Sequence, residues 1–391
     1  MIFTDENIEK IFGAEDAENE ERGRLKEYFF RNKAFESLKA NLSLRVLVGH
    51  KGVGKSALLK MAGIEDDEAK IVAIFVKPND VRGIWDTQEA NLNELIEKWR
   101  TGLLRIIQSK VIERLGVKED GSSGTIFSKS ITGLLEAVSS VIRDKGGSIA
   151  DATVNALISS YISTGTIKVY MDDLDRGWEA RPSDIRNLSA MLNSIRDLCG
   201  DQKKVQFKIA LRTDVYRLLR TSDESTDKIE RNIVPLKWDN HEILILMAKR
   251  VATYLGTKIP ENMGSMNQVD ISRFLYPIID ERFHHVGKWE NAPIHRVLLS
   301  LTRRRPRDLV KIFYGGAKES HRNGTAKITT QDLRNTFQNY SNERLQDIIN
   351  EFKFEFTGLK DLLYGMRPNK KERLASSGFQ FSRDELSVKI G

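Results

Sequence analysis

Five short runs of Val, Ile, Leu and Phe mark the first part of the chain: Leu44 to Val48, Ile71 to Val76, Ile167 to Met171, Val205 to Leu211 and Ile233 to Leu236. Between them apolar residues recur at helical spacing, as in Ile185, Leu188, Leu192 and Ile195. Near-continuous apolar strands separated by helices predict an α/β fold with a parallel sheet covered on both faces. About ninety residues part the second and third runs and predict helices near 87–115, 128–142 and 149–163, joined by the loop Glu119 to Gly124. This is a long helical insertion. After the fifth run the strand signal stops. Asp239 and Asn240 can cap a helix from His241 to Leu255 that ends at Gly256, and the rest reads as helical. The expected organisation is a sheet domain over 1–239 with its insertion at about 87–163, an all-α lid over 240–320, and a C-terminal helical region or tail over 321–391.

Composition narrows the function classes. At 391 residues and 40% hydrophobic content the chain can bury a sizeable core. No stretch reaches the roughly 18 consecutive apolar residues of a membrane span, and the first thirty residues are charged rather than an apolar leader, so a soluble, cytoplasmic protein without a membrane partner is expected. The single cysteine, Cys199, excludes an internal disulfide and a thiolate metal cage. Its place at the end of an apolar helix reads as a buried thiol. His284 and His285 adjoin each other with no third ligand at metal spacing. A net charge of +7 permits an anionic partner without naming one.

The chemistry enters at Gly49-His50-Lys51-Gly52-Val53-Gly54-Lys55-Ser56, which fits the Walker A pattern G-x-x-x-x-G-K-[ST]. It follows the first strand and precedes a helical run from Ala57 to Met61, the placement the chemistry requires. Glycines let the backbone wrap so that successive N–H groups face phosphates, and the helix N-terminus adds its positive dipole end. The stretch from Gly49 to Ala57 is thus the expected cradle for ATP. Lys55 reaches the β and γ phosphates, and the Ser56 hydroxyl ligates Mg²⁺.

A carboxylate is needed at the end of a neighbouring strand, and the third run ends in Asp172-Asp173. An acid at the C-terminal edge of a parallel sheet lies beside the phosphate crevice, so Asp172 is the expected second Mg²⁺ ligand and Asp173 the acid that polarises the attacking water. Asp175 and Arg176 read equally as partners of the site or as a solvated turn. A strand intervenes between the Walker A strand and the acidic strand, and no N-K-x-D guanine signature follows, which favours additional-strand ATPases over GTPases. The fourth run leads into Arg212-Thr213-Asp214, where such enzymes keep a γ-phosphate sensor. Thr213 is the first choice and Arg212 the second, against a plain helix cap.

With these residues in place, the sequence resembles the AAA+/STAND-type ATPases, in particular the KAP-like group and related bacterial P-loop ATPases. Asp172 to Arg176 (DDLDR) and Leu211 to Asp214 (LRTD) carry the resemblance. It extends to Arg305-Pro306-Arg307-Asp308-Leu309 and to Tyr340 through Leu345, so it spans roughly residues 30 to 360. It implies a Walker A strand flanked by the fifth and fourth strands, a helical lid, and nucleotide-controlled assembly. KAP proteins commonly carry membrane helices in the ATPase domain. Here the inserted segment contains Arg143, Asp144, Lys145 and Asp151 and reads instead as helices packed on the domain or on a partner. Arg217, Arg220 and Arg231 occupy the region from which AAA+ proteins offer an arginine finger to a neighbouring subunit, and Arg231 is favoured.

The lid holds one more cluster: Arg303, Arg304 and Arg305, then Pro306 and Arg307. Proline favours the first position of a helix, here one expected to run to Gly315 and Gly316. Cations at the positive end of a helix dipole imply an anion. The resemblance makes it the γ-phosphate, with Arg305 or Arg307 as sensor. DNA phosphate and local acids such as Asp308 are the alternatives. The expected function is an ATP-binding, slowly hydrolysing switch whose nucleotide state controls lid closure, homo-oligomerisation or partner engagement. Two other readings stay open: a nucleic-acid-binding adaptor of the origin-recognition type, and a scaffold or signalling subunit of a bacterial defence locus.

Overall fold

A computed structural model describes residues 3–13, 20–85, 91–114, 165–201, 204–222, 224–374 and 382–390. The helices expected near 128–142 and 149–163, and the loop between the first of them and its predecessor, lie outside these residues. Two compact units divide the chain, Met1–Leu333 and Arg334–Gly391.

The first unit is built on five parallel strands, β1 (Leu44–Val48), β2 (Val72–Val76), β3 (Ile167–Met171), β4 (Val205–Leu211) and β5 (Ile233–Pro235), in the order β2-β3-β4-β1-β5. The Walker A strand therefore lies between the fourth and the fifth, the order the resemblance implies. Registers such as Val46 opposite Ile209 and Ile233 bring the C-terminal ends of β1, β3 and β4 to one edge.

Although the strands read as continuous apolar runs, their two faces differ. Val46, Val48, Ile74, Val169, Phe207 and Ile209 share a face that buries Trp99, Leu103 and Ile107 of the helix Leu92–Arg114 and Leu188 and Leu192 of the helix Pro182–Asp201. The opposite face meets the helix Lys55–Glu68 and carries Lys168, Tyr170, Gln206 and Lys208, all buried. Asp66 of that helix accepts from Lys39 Nζ at 2.6 Å, from Lys168 Nζ at 2.9 Å and from the Tyr170 hydroxyl. Burial works to raise its pKa, and these three hydrogen bonds outweigh it. Lys208, 1% exposed, donates to Ala40 O and Leu42 O, and burial brings its pKa down to about 7. Such groups persist in an interior only when hydrogen-bonded.

The lid follows. Asp239 caps the helix Asn240–Tyr254 through a capping box with Glu242, and Gly256 follows its end at φ +64°. Pro306 opens the helix Pro306–Asn323 as expected, but Gly315 and Gly316 do not end it; Gly324, left-handed at φ +67°, does. The position of Gly316 explains the difference. A Cβ there would stand 2.9 Å from Ile328 Cγ2 and 3.1 Å from Leu333 Cδ2, so the glycine serves close packing inside the helix. The N-terminal helix Asp5–Phe12 also packs on the lid, with Phe12 and Phe313 ring centroids 5.8 Å apart and Tyr314 donating to Glu9. Cys199 is half-buried; its thiol donates to Ser43 O, and burial pushes its pKa up to about 12.

The second unit is helical: most of the helix Thr330–Phe352, then Leu359–Gly365, Lys370–Leu374 and Arg383–Ile390. Within it Arg344 is buried, pairs with Asp347 at 2.9 Å, and stands over the Tyr340 ring. No helix among the described residues is long and apolar enough to cross a membrane.

Candidate functional site

Strand β1 ends at Val48, and the chain turns through Gly49, whose N–H donates to Leu211 O, before entering the helix Lys55–Glu68. Two residues of the turn adopt positive φ, Gly52 at +81° and Gly54 at +91°, a region open to glycine at little cost. Gly54 is the N-cap, so the first turn of the helix points its free N–H groups at the space above the loop. Lys55 curls back over that space, with Nζ donating to Gly49 O at 2.9 Å and His50 O at 3.2 Å. Burial pushes its ammonium pKa down, against the opposing pull of Asp175 and Asp172.

Groups from outside the loop fix two of its carbonyls. The backbone N–H of Arg307, in the first turn of the lid helix Pro306–Asn323, donates to Gly52 O at 3.4 Å. The Trp238 indole Nε1 donates to Val53 O at 2.7 Å. Trp238 is 5% exposed, follows β5, and directly precedes the Asp239 cap of the lid.

The acidic edge comes from β3. Ser56 and Asp172 line the same cleft, and burial raises the Asp172 carboxylate in pKa while Ser56 and Lys55 act to lower it. Asp173 stands at φ +57°; its N–H donates to Asp172 Oδ1, and its carboxylate accepts from Arg176 Nε at 2.6 Å on the exposed side. Asp175, which the sequence left between two readings, is buried, accepts from the Arg212 backbone N–H at 3.3 Å, and has a pKa raised by burial to about 6. The Arg212 guanidinium pairs with Asp214.

These groups share a cleft of about 540 Å³. Its polar half is lined by Lys51 to Ala57 apart from Val53, by Asp172, Asp173, Asp175 and Arg212, and by Arg307. The other half is apolar and aromatic, with Leu25, Tyr28, Phe29 and Phe30 from the N-terminal segment facing Leu246 and Val310 of the lid. Arg250 completes that end, its guanidinium 4.1 Å from the Tyr28 ring centroid.

Not every expected residue reaches the cleft. Gly49, His50 and Val53 support the cradle from its flanks. Thr213 starts the helix Thr213–Ser222, and Arg212 supplies the wall instead. Of the two lid arginines, Arg307 lines the cleft, while Arg305 is the buried N-cap residue outside the lining. The crowding of cations at this helix start is relieved in part by Asp308, fully buried, which takes Arg303 Nε at 3.0 Å and Nη2 at 3.1 Å. Arg231 precedes β5 at the other edge of the sheet, where its carbonyl accepts from Arg45. Trp238 and the N-terminal aromatics were missed altogether. The only sequence signals for them were Trp238 beside the Asp239 cap and the apolar cluster Tyr28-Phe29-Phe30 in an otherwise charged segment.

The Ser56 hydroxyl and Asp172 carboxylate are the oxygen pair suited to a hard divalent cation that keeps several waters. Among the described residues no group of three or more His, Cys, Asp or Glu forms an all-protein metal cage.

Comparison with known proteins gives three kinds of match. Residues 277–349 match a family described as the FunZ-associated C-terminal helical domain. Over 394 aligned residues the chain is 23% identical to the transposon gamma-delta 80.3 kDa protein of Escherichia coli (strain K12), covering 92% of this chain and 54% of that protein. The chain thus spans about half the length of this curated relative. Among solved structures it is similar to a Walker-type ATPase of Pyrococcus abyssi, at 15% identity and TM-score 0.43 over 93% of this chain and 88% of that one. It is also similar to the ORC2 protein of Aeropyrum pernix in its ADPNP-ADP complexes, at 12% identity and TM-score 0.42 over 95% and 88%. The order of the parallel strands, the loop after β1 and the helical segments beyond β5 give this chain the P-loop NTPase fold with an all-α C-terminal region.

Proposed function

We propose that this chain binds Mg-ATP in the cleft and hydrolyses it as a slow molecular switch. The observation that carries the reading is that Lys55, its Nζ curled over the loop onto Gly49 O at 2.9 Å, shares one cleft with Ser56 at the start of the following helix and Asp172 at the end of β3. In this reading the N–H groups of Gly52, Gly54, Lys55 and Ser56 receive the phosphate oxygens, and Lys55 turns from the loop carbonyls to the β and γ phosphates. Mg²⁺, held by Ser56 and Asp172, would neutralise charge developing on the phosphates. Asp173, freed from Arg176, orients and deprotonates the attacking water; Arg212, held by Asp214, faces the γ-phosphate end as a sensor. The apolar half of the cleft takes the base, between the N-terminal helices and the lid.

Arg307 gives the switch its lever, because it lies on the helix whose first turn already bonds Gly52 O. A γ-phosphate attracts its guanidinium and draws the lid onto the loop, and loss of that phosphate removes the attraction. Arg231, remote from its own cleft, suits a role toward a second copy of the chain. The test is Asp173→Asn. It should retain Mg-ATP while turnover collapses, since the cradle survives and the water loses its base. Hydrolysis at the parental rate would remove Asp173 from the mechanism.

A further inference from the structure

The indole of Trp238 sits where β5 passes into the lid, and its one hydrogen-bonding atom is spent on the phosphate loop. Leu236 N–H donates to Val48 O at 2.8 Å, so the chain still runs beside the Walker A strand two residues before Trp238. One residue after it, Asp239 caps the first lid helix. Between these two fixed points Trp238 is 5% exposed, with its ring 6.2 Å from Phe30 and its Nε1 2.7 Å from Val53 O.

The consequence follows from peptide geometry. The Val53–Gly54 bond is trans, like every peptide among the described residues, and a trans peptide is planar with its C=O and N–H pointing in opposite directions. Holding the Val53 carbonyl therefore holds the Gly54 N–H on the other side. Gly54 needs such a hold: as a glycine at φ +91° it can rotate that peptide at little steric cost, and flipping it would turn a carbonyl toward the anion. Val53 itself contributes only a 3.4 Å donation to His50 O.

We propose that Trp238 is a positioning residue of the nucleotide site, fixing the Val53–Gly54 peptide so that the Gly54 N–H faces the phosphates, and that it ties this orientation to the hinge of the lid. This rests on the reading of the cleft as an ATP site. The affected N–H belongs to the cradle and not to the γ-phosphate sensors, so ATP and ADP lose affinity together. That separates Trp238 from Arg307, whose removal discriminates between the two.

Three forms of the full chain test the proposal: the parent, Trp238→Phe, and a chain with 3-benzothienylalanine at position 238, which keeps the bicyclic shape but has sulfur in place of the N–H. In the parent, the indole proton missing from the Trp238→Phe spectrum should exchange slowly with solvent even without nucleotide. Loss of one neutral hydrogen bond should weaken ATP and ADP alike by roughly three- to tenfold in both variants, raising KM with kcat little changed. The thermal midpoint of the benzothienyl form should stay near the parent's. Wild-type affinity in the benzothienyl form, or a fast-exchanging indole in the parent, overturns the proposal. So does an affinity loss seen only where the midpoint has fallen. A parent with a protected indole that binds neither nucleotide refutes the ATP reading of the cleft, and the positioning role with it, while leaving the Trp238–Val53 bond standing.

Discussion

Asp175 offers a direct test of the electrostatics of the cleft. It is 7% exposed, and burial holds its pKa up at about 6 despite Lys55 and Arg212 nearby. In an unfolded chain an aspartate titrates near 3.9. Between these values the folded protein binds more protons than the unfolded one, so stability falls as pH rises from about 4 to about 6, and the full cost is present above that window. A gap of about two pH units is worth ~3 kcal/mol at 1.36 kcal/mol per unit. Asp175→Asn removes the charge and keeps an oxygen to accept from the Arg212 N–H, the bond seen at 3.3 Å. The variant should match the parent at pH 4 and exceed it by ~3 kcal/mol at pH 7.5. With a urea slope of about 3 kcal/mol/M, the midpoint at pH 7.5 rises by about 1 M. Urea unfolding without nucleotide or metal, at half-unit steps of pH, measures it. Parallel pH profiles for the two proteins would refute the reasoning. A rise in stability accompanied by weaker nucleotide binding would show that the carboxylate is kept for the site at the expense of the fold.

The remaining predictions concern the phosphates. Lys55→Ala removes a charged contact worth about 1.5 to 3 kcal/mol and should weaken ATP tenfold or more by calorimetry, with unchanged affinity removing Lys55 from the cradle. Arg307→Ala should slow turnover and erase the preference for ATP over ADP while sparing ADP binding. If turnover and preference persist while binding to DNA falls, Arg307 belongs to a nucleic-acid surface.

What the sequence disclosed was what is local along the chain. The strand, the glycine turn and the helix from Lys55 are consecutive, and Asp172 ends its strand, so period and spacing were enough to find them. The Asp239 cap was legible for the same reason. Gly316 was misread as a terminator because its role depends on Ile328 and Leu333, which reach it only after the chain has turned back. Asp175 could not be separated from a solvated turn, since its partner, the Arg212 N–H, lies thirty-seven residues away. The same holds for Trp238, whose partner Val53 lies 185 residues earlier. The arginines at an expected helix start implied an anion, and part of that demand is met inside the fold by Asp308.

The strand order also governs how the molecule is made. Strand β1 pairs with neither β2 nor β3; its partners are β4 and β5, whose pairing residues lie more than 150 positions downstream. During synthesis the loop after β1 therefore emerges long before either strand partner of β1 exists. Its apolar residues must wait through the whole insertion for β4. Sheets closed by such distant pairings assemble slowly, and the unpaired strand is the aggregation-exposed part of the nascent chain. On the proposed reading of the cleft, nucleotide cannot rescue an early intermediate, because the cradle gains its acid only with β3, its indole tether only after β5, and Arg307 only with the lid. Ligand and fold would then be coupled at the last step of assembly.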